Sequence, residues 1–210
     1  MVCQKLQKMK KFFILLTISF ILINPLTVGS AFPSENKKLE VVSNLDLQKF
    51  QGTWYEIAHN PWFPEKDCFS MIAHYKLTEN NQIIVTNICR KKGFDGEISK
   101  VTGKAWLVNP KIKAKWEVQF IWPFTLDYWV IDLEENYNYA VIGEPERENL
   151  WILSRKPIMK KRLLSKIIKA TKSKGYDLSN LILTPQDPLY SECLTQWIEE
   201  RDKKKDAKIC

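Results

Sequence analysis

Glycine and histidine are scarce in this chain: its 210 residues include 7 of the first and 2 of the second. The shortage excludes several kinds of chemistry. The only Gly-Lys step, Gly103-Lys104, is followed by Ala105 and has Ile98 where a phosphate-cradling loop needs glycine. No Gly-x-Ser-x-Gly elbow and no His-Glu-x-x-His pair occurs. His59 and His74 fall on different predicted strands with no acid at a telling spacing, so neither is read as a base or a metal ligand. No Cys-x-x-Cys pair is present for zinc. No cofactor is expected. With 7 glycines and 10 prolines a collagenous or linker-like chain is also excluded, and 45% apolar residues suffice to bury a core.

Acidic charge is short as well, with 24 Asp and Glu against 32 Lys and Arg, a formal charge of +8. Taken alone, that excess points to nucleic acid or an anionic membrane. Its distribution argues otherwise. Lys5, Lys8, Lys10 and Lys11 precede an apolar run from Phe12 to Ile23, too short for a comfortable membrane span, and the small residues Val28-Gly29-Ser30-Ala31 follow. Residues 1–31 are therefore predicted to be a cleavable secretory signal peptide, with no cysteine at the cut to carry a lipid. Its loss lowers the charge from +8 to +4, and eight further basic residues lie between Lys156 and Lys174 with no acid among them. The remaining body is mildly acidic, so no nucleic-acid partner is expected. In the basic segment Met159, Leu163, Leu164, Ile167 and Ile168 share one helical stripe, with Pro157 suited to the first turn and Gly175 to the position after the end. This reads as a surface helix packed through its apolar stripe, with peripheral contact to an anionic membrane as a second use of its lysines.

Between Gly52 and Arg155 short β-branched and aromatic runs alternate with turn residues: Gly52–His59, Phe69–Leu77, Ile83–Arg90, Ile98–Val108, Ala114–Ile121, Tyr128–Leu133, Tyr139–Gly143 and Leu150–Arg155. Eight such runs without an intervening helix predict an antiparallel all-β barrel or sandwich. Trp116, Val118, Phe120 and Trp122 share one face against Glu117 and Gln119; Trp129, Ile131 and Leu133 share a face opposite Tyr128, Val130 and Asp132. An eight-stranded barrel is the size whose interior holds one small ligand.

Cysteines stand at 3, 68, 89, 193 and 210; the first leaves with the signal, and the even number remaining in an exported chain favours disulfides. Three pairings are open. Cys68 and Cys89 lie on consecutive strands, but a two-residue turn at Asn80-Asn81 sets Ile72 opposite Cys89, so that pair requires a bulge or a longer loop.

Gly52-Thr53-Trp54-Tyr55-Glu56-Ile57, then Asp127 to Leu133, Tyr139 to Gly143 and Leu150 to Arg155 occur in that order. A helix follows, then Gly175-Tyr176-Asp177 and Leu181 to Gln186. Together, over about residues 44–187, they resemble a lipocalin, nearest to the bacterial lipocalin and apolipoprotein D branch. The resemblance implies an eight-stranded antiparallel up-and-down barrel with one C-terminal helix and a short ninth strand. It divides the chain into the signal peptide at 1–31, a barrel domain at 32–187 and a charged, solvated C-terminal extension at 188–210. Gly52, Trp54 and Arg155 match the family's structural motif, the arginine packing over the tryptophan at the closed end. The implied function is an exported carrier or scavenger, not an enzyme, for a small hydrophobic ligand such as a fatty acid or lysophospholipid, secreted or periplasmic. Strand alternation places Tyr75, Trp116, Val118, Phe120, Trp129 and Ile131 inward as its lining, and Glu56 either inward or at the rim. Of the pairings, the resemblance favours Cys68–Cys89 with Cys193–Cys210 over Cys68–Cys193 with Cys89–Cys210. Two alternatives stand beside the carrier: a lipid-modifying enzyme using Cys68 or Cys89 as nucleophile, and a membrane-surface protein docking through its basic helix.

Overall fold

The computed structural model describes residues 38–206 apart from Asn81, so the signal peptide expected at 1–31 and the disulfide partner Cys210 lie outside the described residues. A short helix α1 (Leu47–Phe50) precedes eight strands: β1 (Gly52–His59), β2 (Cys68–Leu77), β3 (Ile83–Lys91), β4 (Ile98–Leu107), β5 (Lys115–Ile121), β6 (Phe124–Leu133), β7 (Tyr139–Gly143) and β8 (Leu150–Ser154). Helix α2 (Lys161–Ser173), strand β9 (Ile182–Leu183) and helix α3 (Pro188–Asp206) follow.

Each strand pairs antiparallel with the next, and β1 closes the sheet into a barrel. Its first half pairs with β2 through Gly52–Tyr55, and its second half pairs with β8 through Tyr55–His59. Beyond the last residue paired with β2, Ala58 and His59 pair with β9 instead. The gap exists because β2 is bulged. A loop from Thr78 to Gln82, closed by a 2.8 Å bond between its backbone ends, replaces the two-residue turn. The register then shifts between Phe69 and Ile72, and Ser70 sits at φ 51. Both the longer loop and the bulge bring Cys68 to Cys89, and the two form a disulfide with Cα atoms 5.5 Å apart. This excludes the pairing of Cys68 with Cys193, which is exposed and free among the described residues.

The closed end is sealed by α1. Asp46 caps it, its Oδ1 accepting from the backbone N–H of Gln48 at 2.9 Å, and Phe50 enters the barrel. The Phe50 ring lies 4.9 Å from Trp54 and 5.3 Å from Trp116. Arg155 stacks 3.8 Å from the Trp54 ring centroid. It also donates to the carbonyls of Thr53, Lys49 and Gln51, each at 2.8 Å. Gly52 makes the turn into β1 at φ 86, where a side chain would be strained.

Two helices cover the outer wall. α2 lays Ile167 against Ile57, Ile131, Val141 and Ile152, with Leu163, Leu164 and Ile168 half-buried beside it. It begins at Lys161, later than the Pro157 boundary, because the backbone of Lys160 accepts the first bonds, from Leu163 and Leu164. The C-terminal segment expected to be solvated is instead helix α3, whose Leu194 and Ile198 are buried on Tyr55, Ile72 and Ile88. The exposed charges Glu192, Glu199, Glu200, Arg201 and Lys203 hide a narrow apolar stripe at 194, 197 and 198, and Asp202 faces His74 on β2 at 3.3 Å.

Candidate functional site

Inside the barrel, above the aromatic floor, lies a cavity of about 330 Å³ bordered by Trp62, Asn87, Val118, Phe120, Phe124 and Leu126 among others. A smaller recess of about 30 Å³ continues toward the floor between Glu56, Glu65, Asn87, Tyr128 and Trp151. The strand pattern explains most of this. β5 sends Val118 and Phe120 inward, as alternation predicts, while Trp116 on the same face reaches the floor and donates its indole N–H to the Lys113 carbonyl at 2.6 Å. Tyr75 is also inward, at the floor, hydrogen-bonded to the Tyr128 hydroxyl. Trp122 does not share that face. It stands 82% exposed in the β5–β6 turn, followed by a cis bond to Pro123.

β6 reverses the expected assignment. Tyr128 and Val130 point inward, whereas Trp129 and Ile131 lie on the outer wall beneath α2. Lys115 sits over the Trp129 ring, 3.6 Å from its centroid. Both faces of β6 are apolar because both are covered, one by the barrel interior and one by the helix, so alternation carried no sign. A bulge between Val130 and Asp132 then returns Leu133 to the interior. Trp62, Glu65, Asn87, Leu126, Tyr128 and Trp151 border the cavity or recess without having been singled out. Trp62 and Glu65 belong to an irregular connection, where no periodicity exists to read. Asn87 lies two residues from Cys89 on β3, a spacing that would have placed it on the same face.

The recess decides between the two placements, inward or at the rim, that the sequence left for Glu56. Glu56, on the face of Trp54, is fully inside at 2% exposure. The Thr184 hydroxyl donates to its Oε1 at 2.5 Å. Glu65 accepts the Trp151 indole N–H at 3.1–3.2 Å on both oxygens. His59 lies 3.4 Å from Glu65 and 3.9 Å from Glu56, with Nδ1 2.8 Å from the Asn60 carbonyl. One ligand atom from each of the three falls within 4.8 Å of the others, a spacing that suits a cation. Burial pushes Glu56 up to about 7. Burial together with the neighbouring Glu56 charge pushes Glu65 up to about 8.

A closed barrel with an apolar interior, one mouth, and an arginine over the tryptophan of its first strand is matched by a family model for the lipocalin-like domain over residues 45–186. The chain belongs to the lipocalin family. This lipocalin is 37% identical over 162 residues to temperature-induced lipocalin-1 of Arabidopsis thaliana, covering 73% of the chain and 86% of that protein. It is 33% identical over 154 residues to outer membrane lipoprotein Blc of Vibrio cholerae, covering 71% and 88%. Among solved structures, insecticyanin of the tobacco hornworm Manduca sexta superposes with a TM-score of 0.59 at 22% identity, over 76% of this chain and 90% of the other, a likeness of fold. Lipocalins bind small hydrophobic ligands. The disulfide holds both Cys68 and Cys89, so neither is the free thiol that the nucleophile alternative requires.

Proposed function

We propose that this lipocalin is an exported carrier or scavenger of an acyl lipid of the fatty-acid or lysophospholipid kind, without catalysis of its own. The observation that carries this reading is the interior cavity of about 330 Å³, open at one end and bordered chiefly by Val118, Phe120, Phe124, Leu126 and Trp62. Each methylene moved from water into such surroundings contributes about 0.8 kcal/mol, so a chain of several carbons binds without a salt bridge. Trp116 and Tyr75 support the pocket from the floor, and Trp129 and Ile131 serve the outer wall.

The mouth suggests where cargo is exchanged. Phe63 is 86% exposed, Ile121 69%, Trp122 82% and Phe124 75%, and Ile121 and Phe124 also border the cavity. An apolar rim continuous with an apolar cavity suits transfer at a lipid surface better than the lysines of α2, which project from a helix already packed on the wall. The test is displacement of a fluorescent fatty acid from the purified mature protein, combined with solvent extraction of co-purified lipid. Saturable uptake that natural acyl lipids displace is expected; no uptake and no extracted lipid would remove the carrier reading.

A further inference from the structure

The polar groups of the cavity are unbalanced in one direction. Among the described residues bordering the cavity and its recess there is no lysine, arginine or histidine, whereas Glu56, Glu65 and Asn87 all border the recess. Asn87 Oδ1 is buried with no hydrogen-bond partner. The recess lining therefore offers three acceptor groups and no basic side chain to receive a carboxylate or phosphate, His59 lying behind the pair against Glu56 and Glu65. Two buried carboxyls this close do not ionise together readily. A third anionic group brought against them would be repelled, while a cation would relieve the pair.

We propose that the recess receives the primary ammonium end of an amphiphile whose chain occupies the main cavity, an inference that rests on the carrier reading above. An ammonium has three N–H donors and no acceptor, which matches Glu56, Glu65 and Asn87 one for one. Hydrogen bonding narrows the class further. A trimethylammonium group has no N–H donor to give the three acceptors, whereas –NH3⁺ has three. Trp62 and Trp151, with ring centroids 6.1 Å apart, supply aromatic surface on the path to it. Among acyl lipids this places amine-bearing chains ahead of free fatty acids, whose carboxylate finds no basic donor in the recess lining and stays at the mouth.

Binding is then linked to a proton. In the free protein the carboxyl pair retains a proton at neutral pH; the arriving cation takes its place, and the proton leaves to solvent. The groups facing the pair are His59 and the Thr184 hydroxyl beside Glu56, and His59 and the Trp151 N–H beside Glu65. The phenols of Tyr75 and Tyr128 face it from the floor, with Arg155 beyond them, and burial holds both phenols in their neutral form.

The test compares decylamine, decanol, decanoate and decyltrimethylammonium, at neutral pH and below their micellar concentrations, as displacers of one fluorescent probe. Decylamine is expected to bind roughly tenfold or more tighter than decanoate, the worth of one charge-assisted hydrogen bond, with decanol between them and the trimethyl compound weaker than the amine. Calorimetry of decylamine binding in buffers of different ionisation heat should register proton release. Glu65→Gln should erase the amine's advantage over decanol and decanoate, and Asn87→Leu should reduce that advantage should Glu65→Gln fail to fold. Decanoate binding as tightly as decylamine, a trimethylammonium compound binding as tightly as the amine, or an undiminished amine preference in the folded variants would overturn the assignment while leaving the carrier standing. Failure of all four compounds to displace the probe would take the carrier reading down with it.

Discussion

Gly143 ends β7 against the ring of Tyr176, and a Cβ there would lie 2.0 Å from the tyrosine hydroxyl. That hydroxyl cannot yield easily, because it donates to the Glu144 carbonyl and accepts from the Glu144 N–H, both at 2.9 Å. Gly143→Ala should therefore cost roughly 2–3 kcal/mol in urea denaturation, the upper range of overpacking changes; a cost within error of zero would show that the contact is slack. Val118→Trp should abolish probe uptake with the fold retained, because its side chain points into the cavity. Trp129→Ala should leave uptake unchanged and lower stability, because its ring lies under Lys115 on the outer wall. Loss of uptake in Trp129→Ala would restore the inward face that alternation suggested for it. Single residues were legible where one face was polar, as with Val118 and Phe120 against Glu117 and Gln119. They were illegible where both faces were covered, as with Tyr128 and Trp129.

At the scale of elements, the β5–β6 hairpin and helix α3 make opposite cases. The hairpin tip is apolar and exposed, so the double change Trp122→Ser, Phe124→Ser should weaken association with lipid vesicles while leaving the thermal midpoint nearly unchanged. Vesicle binding that survives it and falls instead on charge reversal at Lys160, Lys161 and Lys166 would return the membrane role to α2. In α3, Leu194 is 1% exposed and Ile198 3%. Alanine at either should cost about 2–5 kcal/mol, measured by chemical denaturation, as for other buried aliphatics. A solvated tail would show no such loss. α2 was readable in the sequence because five apolar residues on one stripe stand out against uniformly basic neighbours. α3 was not, because both signs of charge surround a stripe only about one residue per turn wide. The Cys68–Cys89 pair was readable as requiring a bulge or a longer loop; the register shows both, the shift in β2 and the five-residue Thr78–Gln82 loop.

The whole molecule couples stability to pH through its interior acids. Glu56 and Glu65 bind a proton more tightly in the folded chain than at their ordinary value of 4.5. The folded state thus carries more protons than the unfolded one as pH rises from there, and stability falls through the range up to about 8. The slope is at most about 1.4 kcal/mol per pH unit for each group. His74, whose value burial lowers, acts oppositely, costing stability as pH drops below 6.5. Denaturation midpoints measured above pH 6.5 should therefore decline toward alkaline pH. Glu56→Gln with Glu65→Gln should flatten that decline, and an unchanged slope in the double variant would show that other groups set it. Barrel topology was legible from eight runs and their motif order because hairpin connections leave few alternatives; of the acidic recess only Glu56 was a candidate, since Glu65 sits in a turn without periodicity and its partner Trp151 lies on β8, remote in sequence. The seam at β9 has a further consequence, for the order of assembly. Residues 182 and 183 zip the stretch of β1 that β2 leaves unpaired, so a chain emerging from its amino end holds an unsealed wall until nearly all of the barrel sequence has appeared. Until then the interior is reachable from the side as well as through the mouth.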